Sequence, residues 1–584
     1  MTKRYFLPMF LPSGTMTVAY RRMVSPREPQ RHIRIGIMCN GRRFPAWQAA
    51  AIRALMEVQG VEISLLIVRD PREDSLSKLN RLKDVPRLLW TLFNKGYVER
   101  RSRASRAEDM EAELGAVPEI RCRTIAVGKF AERFTDADVA SIRSHDLDVI
   151  LRFSFGIIKG EVLDTAGYGV WSFHHGDERS FRGRPPAFWE LNEGRPVVGA
   201  ILQRLTERLD GGVVLHRGYF RATPHSYLRT RDEVFLGSAI WPSVVVRQIQ
   251  DGKTGHVDAA ASRTTAAVRH DPTNATMALF LVRQAVQFVL AQFRGTIMAA
   301  KWSIGVADVP ISGFLTDSTP DIRWIRERGS SRYLADPFAL EHEDKLMALV
   351  EDYDYTTRRG VISVVDLDKG GNAEVVLDTG VHASYPFIVE DGGEVYCIPE
   401  TYQANEVRLY RAVEFPHRWE QVATLIEGMA ALDSTVFLHG GRWWLMCTDE
   451  ADGSNSKLHL FHAPALFGPW EPHSLNPVKT DIRSSRPAGT PFVHDGALFR
   501  PTQDGSESYG GGITMTRIDE LTPSTFSEEI VSRVPPPASG RYRDGIHTLS
   551  AAGNRTVVDG RRDTFIWAAS RREWASRFSK LIGR

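Results

Sequence analysis

Apolar residues come in unbroken runs early in the chain and in short alternating runs later. Ile33-Arg34-Ile35-Gly36-Ile37-Met38-Cys39 reads as a buried strand. Pro45 to Gln59 has helical spacing, with Pro45 in the first turn and Gly60 past the end. Val61 to Val68 is a second apolar run, and strand–helix–strand order predicts a parallel sheet with crossover helices. Residues 71–116 are charged and predict a helical insertion. Arg121 to Val127 predicts another strand, Thr135 to Ser144 a helix, and Asp148-Val149-Ile150-Leu151 the strand after it. Residues 221–260, with Val244-Val245-Val246, close this part with helix. Ala275 to Phe293 predicts a long apolar helix, but Arg283, Gln284, Gln287 and Gln292 argue against a membrane span.

From Trp302 the pattern changes to short, aromatic, turn-rich strands that recur. Ala335-Asp336-Pro337-Phe338, Ser384-Tyr385-Pro386-Phe387, Leu432-Asp433-Ser434-Thr435 and Arg486-Pro487-Ala488-Gly489 each precede a second apolar run. A fifth unit contains Gly545 to Leu549 and Thr556 to Asp559. Repeats at roughly 50 residues, each a few strands long, predict propeller blades. The predicted organisation is a disordered leader (1–31), an α/β Rossmann-like domain (32–260), a helical linker (261–304), an all-β five-bladed propeller (305–563) and a basic amphipathic tail (564–584).

Composition narrows the function. The 584 residues are 42% hydrophobic and 25% charged, ordinary for a globular protein. A net charge of +3 predicts no strong nucleic-acid field. Cys39, Cys122, Cys397 and Cys447 are far apart, which predicts neither a disulfide framework nor a zinc site and fits a reducing cytoplasm. No metal is expected. The tail alternates Trp567, Trp574, Phe578, Leu581 and Ile582 with Arg571, Arg572, Arg577 and Lys580. It either lies on an anionic membrane or docks its apolar stripe on the propeller.

The candidate chemistry centres on His174 and Asp210. Gly169-Val170-Trp171-Ser172-Phe173-His174 places an imidazole at a strand end, and Leu209-Asp210-Gly211-Gly212 places an acid on a turn. A carboxylate beside an imidazole fixes its tautomer and favours its charged form, which suits proton transfer. The turn after the first strand, Asn40-Gly41-Arg42-Arg43, lacks a dinucleotide-binding glycine pattern.

These motifs resemble the folate-dependent formyltransferases over about residues 145–216. The resemblance implies a one-carbon transferase using 10-formyltetrahydrofolate. His174 would stabilise the tetrahedral intermediate, Asp210 would orient His174, and Ser172 would stand where the family has its catalytic Asn. The pterin would sit against Phe155, Gly156, Ile157, Ile158 and Leu209. The family's Pro-Ser-Leu-Leu-Pro is replaced by His175-Gly176-Asp177-Glu178-Arg179-Ser180, which implies a more polar acceptor near His175, Asp177, Arg182 and Arg229. For Arg229 one half of a surface ion pair is the favoured reading. The later repeats resemble the five-bladed propellers of arabinanase- and xylosidase-like glycosidases. Asp336 and Asp433 match acidic positions of that family, and Arg486 begins the fourth unit. Together the two resemblances imply formyl transfer to an amino sugar, nucleotide- or lipid-linked. Two alternatives stand beside it: a glycoside hydrolase or glycosyl-transfer enzyme working in the propeller funnel, and a non-catalytic glycan-binding protein.

Overall fold

A computed structural model describes residues 31–70, 85–128, 131–209, 211–316, 319–325, 329, 331–370 and 372–567. Nearly all of the leader, nearly all of the basic tail and Asp210 therefore lie outside the described residues.

The first part is a seven-stranded sheet. Its order is Val213–Arg221, Val197–Arg204, Val170–His174, Val149–Arg152, Ile33–Cys39, Val61–Arg69, Glu119–Cys122. The last five run parallel, while Val197–Arg204 and Val213–Arg221 add an antiparallel edge. Leu65 to Val68 are all buried because helices cover both faces, which explains the unbroken apolar run. The helix predicted from Pro45 spans Ala46–Met56 and buries Trp47, Ile52 and Leu55. Thr135 caps the helix Asp136–Arg143, its hydroxyl accepting from the Asp138 amide at 3.2 Å. Arg121 to Val127 splits in two. Glu119–Cys122 joins the main sheet, and Thr124–Val127 forms a small sheet with Ala131–Phe134 and Ile157–Lys159. Within the predicted insertion, Leu88–Phe93 is helical and continues as a π turn over Asn94–Val98.

The long helix spans Asn274–Ile297, and strand begins at once with Met298–Ala307. The partner of that strand is Arg555–Phe565, in register from Met298↔Phe565 to Ala307↔Thr556, so an early strand of the β-rich part is closed by its last. Four further antiparallel sheets follow in sequence, starting with Arg332–His342, Ser384–Asp391, Ala431–His439 and Phe492–His494. Two-residue turns close the first hairpins at Glu343-Asp344 and Gly440-Gly441, with positive φ at both central residues. Turns of this hand match the twist of the paired strands.

The two parts touch directly. Ile482 N donates to Tyr219 O at 3.0 Å, Arg221 Nη2 to Glu507 O at 2.6 Å, and Arg247 Nη1 to Ser474 O at 3.2 Å. The Arg483 guanidinium lies 3.6 Å from the centre of the Tyr219 ring.

Candidate functional site

The β-rich part gathers charge at its centre. Asp336, Tyr385 and Asp433 occupy the same place in three successive sheets, each at a break in register between the first two strands. All three have positive φ, +50°, +43° and +51°, although none is glycine. Non-glycine residues held in the left-handed region cost free energy, and such strain gathers at functional sites. In the next sheet the repeat places Gly489, with φ +132° and its amide donating to the Tyr385 hydroxyl at 2.7 Å.

Around these residues the polar groups are densely connected. Arg486 Nε donates to Asp433 Oδ2 at 2.5 Å, and Nη2 to Oδ1 at 3.2 Å, a bidentate pair. Gln503 Nε2 donates to Asp433 Oδ2 at 2.7 Å. The Asp433 amide donates to Glu400 Oε2 at 2.9 Å. Thr548 Oγ1 donates to Asp336 Oδ1 at 2.8 Å, and the Tyr385 amide to Oδ2 at 3.3 Å. His547 Nδ1 lies 2.5 Å from Asp559 Oδ2, and its ring stacks on Trp302 at 3.9 Å. Tyr509, 42% exposed, rests edge-on to His547 and under the Arg486 guanidinium.

Asp336, Glu351, Glu400, Asp433 and Asp559 are all buried, with Arg486 and His547 as the cations among them. The excess of carboxyls sets their protonation. Burial pushes Asp336 up to about 6, with the His547 charge opposing and Asp433 adding to the rise. Burial raises Glu400 well above the usual range, and Asp433 adds to it. Burial and then Asp336 do the same to Glu351. Burial works against the His547 imidazolium, but Asp559 and Asp336 outweigh it and hold its pKa up. Groups that keep protons beside others that are ion-paired are a setting for acid–base chemistry. Ligand atoms of Asp336, His547 and Asp559 lie within 4.8 Å of one another. Hard oxygen donors with one imidazole are a donor set for a divalent cation. In the described geometry the imidazole is engaged by Asp559.

The α/β site is arranged differently. His174 ends its strand and its Nε2 lies 2.9 Å from Phe181 O. Ser172 is buried, and its hydroxyl accepts from Arg152 Nη2 at 2.8 Å. Arg152 also donates to Phe155 O and Gly156 O, at 3.0 and 2.6 Å. The Phe155 ring lies 4.8 Å from Phe134 and 4.7 Å from the Arg69 guanidinium. The Gly156 amide donates to Glu132, and Ile157 and Ile158 pair with Ala131 and Glu132. The Leu209 carbonyl accepts from Arg182 Nη2 at 2.5 Å. His175 is stacked 3.9 Å from Phe235 and pushed down to about 3 by burial, with His174 and Arg231 adding to the drop. Asp177 pairs with Arg217 at 2.8 Å and with Arg179 at 2.9 Å. Arg229 makes an i,i+4 pair with Glu233 at 2.9 Å.

Sequence reasoning missed Glu190. It is buried, its Oε1 has no hydrogen-bond partner among the described residues, and burial pushes it up to about 8. It lines a cavity of about 10 Å³, large enough for about one water, together with His174, Phe181 and Arg182. A larger cavity of about 620 Å³ lies between Trp90, Lys95, Arg184, Tyr227, Arg231 and Phe235. His547, Asp559, Tyr385 and Gln503 were missed too. The equivalence of Tyr385 with Asp336 and Asp433 in the repeat was their visible signal.

Comparison with known proteins bears on the β-rich part. Residues 323–543 match the model of glucosamine inositolphosphorylceramide transferase 1, N-terminal. That span contains Asp336, Tyr385, Glu400, Asp433, Arg486 and Gln503 of the charged centre and ends before His547 and Asp559. Glucosamine inositolphosphorylceramide transferase 1 of Oryza sativa subsp. japonica is 34% identical over 207 residues, 34% of this chain and 28% of the relative. The Arabidopsis thaliana protein of the same name is 33% identical over 207 residues, 34% of this chain and 27% of the relative. The chain thus spans little more than a quarter of the curated relatives it matches. Similar solved structures include phosphoribosylglycinamide formyltransferase from Anaplasma phagocytophilum, with 17% identity and TM-score 0.26 over 38% of this chain and 89% of that one. They also include the catalytic domain of Coprinopsis cinerea GH62 alpha-L-arabinofuranosidase, with 12% identity and TM-score 0.30 over 42% of this chain and 96% of that one. Likenesses this distant carry no argument about chemistry.

These findings correct the formyltransferase reading, its one-carbon transferase activity and its cofactor 10-formyltetrahydrofolate. The relatives found by sequence are glucosamine inositolphosphorylceramide transferases, not formyltransferases. The local geometry offers the reason the motif misled. The strand, loop and turn order is present, but Phe155 to Ile158, expected to receive a pterin, are engaged by Phe134, Arg69, Glu132 and Arg152. Ser172, expected to face an oxyanion, holds Arg152.

Proposed function

We propose that this chain takes part in glycosyl transfer involving a lipid-linked sugar, and that its β-rich part recognises the sugar. The observation that carries this reading is the match of residues 323–543 to the N-terminal part of a glucosamine inositolphosphorylceramide transferase. In this reading the five sheets are the blades of a five-bladed propeller spanning about 305–563, preceded by the linker and the α/β domain. The pairing of Met298–Ala307 with Arg555–Phe565 supports closure of such a ring. Asp336, Asp433 and Arg486 form the floor of the sugar site and Tyr509 its wall. Glu400, kept protonated by burial and by Asp433, donates a hydrogen bond to a sugar hydroxyl on this floor. An amino sugar suits this floor, because an ammonium would add positive charge where carboxyls are in excess. A lipid-linked substrate places the protein at a membrane.

The test is incubation of the purified chain with inositolphosphorylceramide and nucleoside-diphosphate sugars, with lipid products read by mass spectrometry. A sugar-extended lipid that Asp433→Asn and Glu400→Gln abolish supports the reading. Turnover unaffected by both substitutions overturns this site. A second reading, sugar binding without transfer, is favoured by one observation: Arg486, Gln503 and Thr548 already engage Asp433 and Asp336. Calorimetric binding of the glycolipid headgroup, lost in Tyr509→Ala, with no product formed, is its signature.

A further inference from the structure

The long helix Asn274–Ile297 is attached at one end and bare along most of its length. Met277 and Phe280 are buried, with Phe280 4.5 Å from Phe188. Asn274 ties in the neighbouring segment, accepting from the Leu89 amide at 2.9 Å and donating to Val85 O at 2.8 Å. From Leu279 on, apolar residues recur at spacings of three and four on the opposite face: Leu279, Val282, Val286, Val289, Leu290 and Phe293. Val282, Val289 and Phe293 are more than 60% exposed. Val85, Leu88 and Leu92 extend the apolar surface and are also exposed. Water-facing apolar area on this scale marks an interaction surface.

By length and composition the helix is able to cross a bilayer. Its flanks exclude that. The α/β part before it and the β-rich part after it touch through Tyr219 and Ile482, Arg221 and Glu507, and Arg247 and Ser474. Two bodies in contact cannot lie on opposite sides of a membrane.

We propose that this helix and residues 85–101 form a docking face that lies in the plane of an anionic lipid surface. Charge complementarity selects this occupant. The helix has no acidic residue, and Arg283 and Arg294 flank the stripe. The neighbouring segment adds Arg87, Lys95, Arg100 and Arg101 against Glu99 alone. Cations beside an apolar stripe suit anionic headgroups over acyl chains. A second copy of the same face would bring like charges together. The chain also leaves the β-rich part here, because Phe565 pairs with Met298 just past the helix end. The cavity of about 620 Å³ shares Val85 and Leu88 with this face, so a ligand drawn from the lipid surface has a short way in.

The experiment is flotation of the full chain with phosphatidylcholine vesicles, with and without phosphatidylglycerol. Wild type is expected to float with the anionic vesicles. Val286→Glu/Val289→Glu/Phe293→Glu should abolish flotation without changing the thermal midpoint, since all three residues are exposed. Flotation that persists in this variant overturns the proposal. So does flotation lost only when 568–584 are removed, or a wild type that never floats and self-associates through the same residues. Glycan binding by the variant stays at the wild-type level, which separates failure of this face from failure of the sugar site.

Discussion

Each part of the molecule buries a glutamate, and the two are held in opposite ways. Glu528, in the β-rich part, accepts from Arg500 Nη2 and Lys479 Nζ, both at 2.7 Å. Burial pushes it up, but Arg500 and Lys479 overcome that and hold it at about 2. Glu190, in the α/β part, faces a hole and keeps a proton up to about 8, because burial, helped by Glu193 and Asp177, is opposed by no cation among the described residues. The same side chain is thus a structural anion in one place and a neutral acid in the other. Burial alone does not say which; the partner does. The charged centre near Asp433 combines both cases, with an ion-paired aspartate beside protonated glutamates.

The largest break in this comparison is Arg500→Met. It leaves Glu528 with Lys479 as its remaining cation and should cost about 3 kcal/mol, read as a lower denaturant midpoint for the β-rich part. The wild-type contribution of Glu528 is present above pH 4.5 and lost as pH falls through about 2, because its folded pKa is depressed.

Glu190→Gln should act in the opposite direction. Its folded pKa is raised, so the folded state carries the extra proton between the usual 4.5 and about 8, and stability falls as pH rises across that window. The amide mimics the protonated form. It should stabilise by on the order of 2 kcal/mol at neutral pH and flatten the pH dependence of thermal unfolding. A variant that keeps the wild-type pH slope removes Glu190 as its source. Ser172→Ala deletes the acceptor for Arg152 and should cost about 1 kcal/mol, seen as a lower midpoint for the α/β part. Arg229→Ala should change stability by less than about 0.5 kcal/mol, since its pair with Glu233 lies at the surface.

Much of the architecture was legible in advance. Apolar runs marked the parallel strands because both faces of that sheet are covered, and recurring motifs such as Ala-Asp-Pro-Phe and Ser-Tyr-Pro-Phe marked successive sheets. The formyl-transfer expectation came from motif order, which records backbone topology more faithfully than what fills a loop. Phe155 shows the difference. Its position followed the pattern, yet its ring is taken up by Phe134 and Arg69, residues far away in sequence.

What the sequence determined by itself was periodic: strand, helix, repeat and the absence of acid along the long helix. Those follow from local spacing, where each residue's neighbours are also its contacts. Tertiary structure alone decided that His547 meets Asp559 and Asp336, that Glu190 meets no cation among the described residues while Glu528 meets two, and that the apolar stripe of the long helix faces outward. Protonation and exposure depend on which distant groups share a low-dielectric space, and spacing along a chain does not encode that distance.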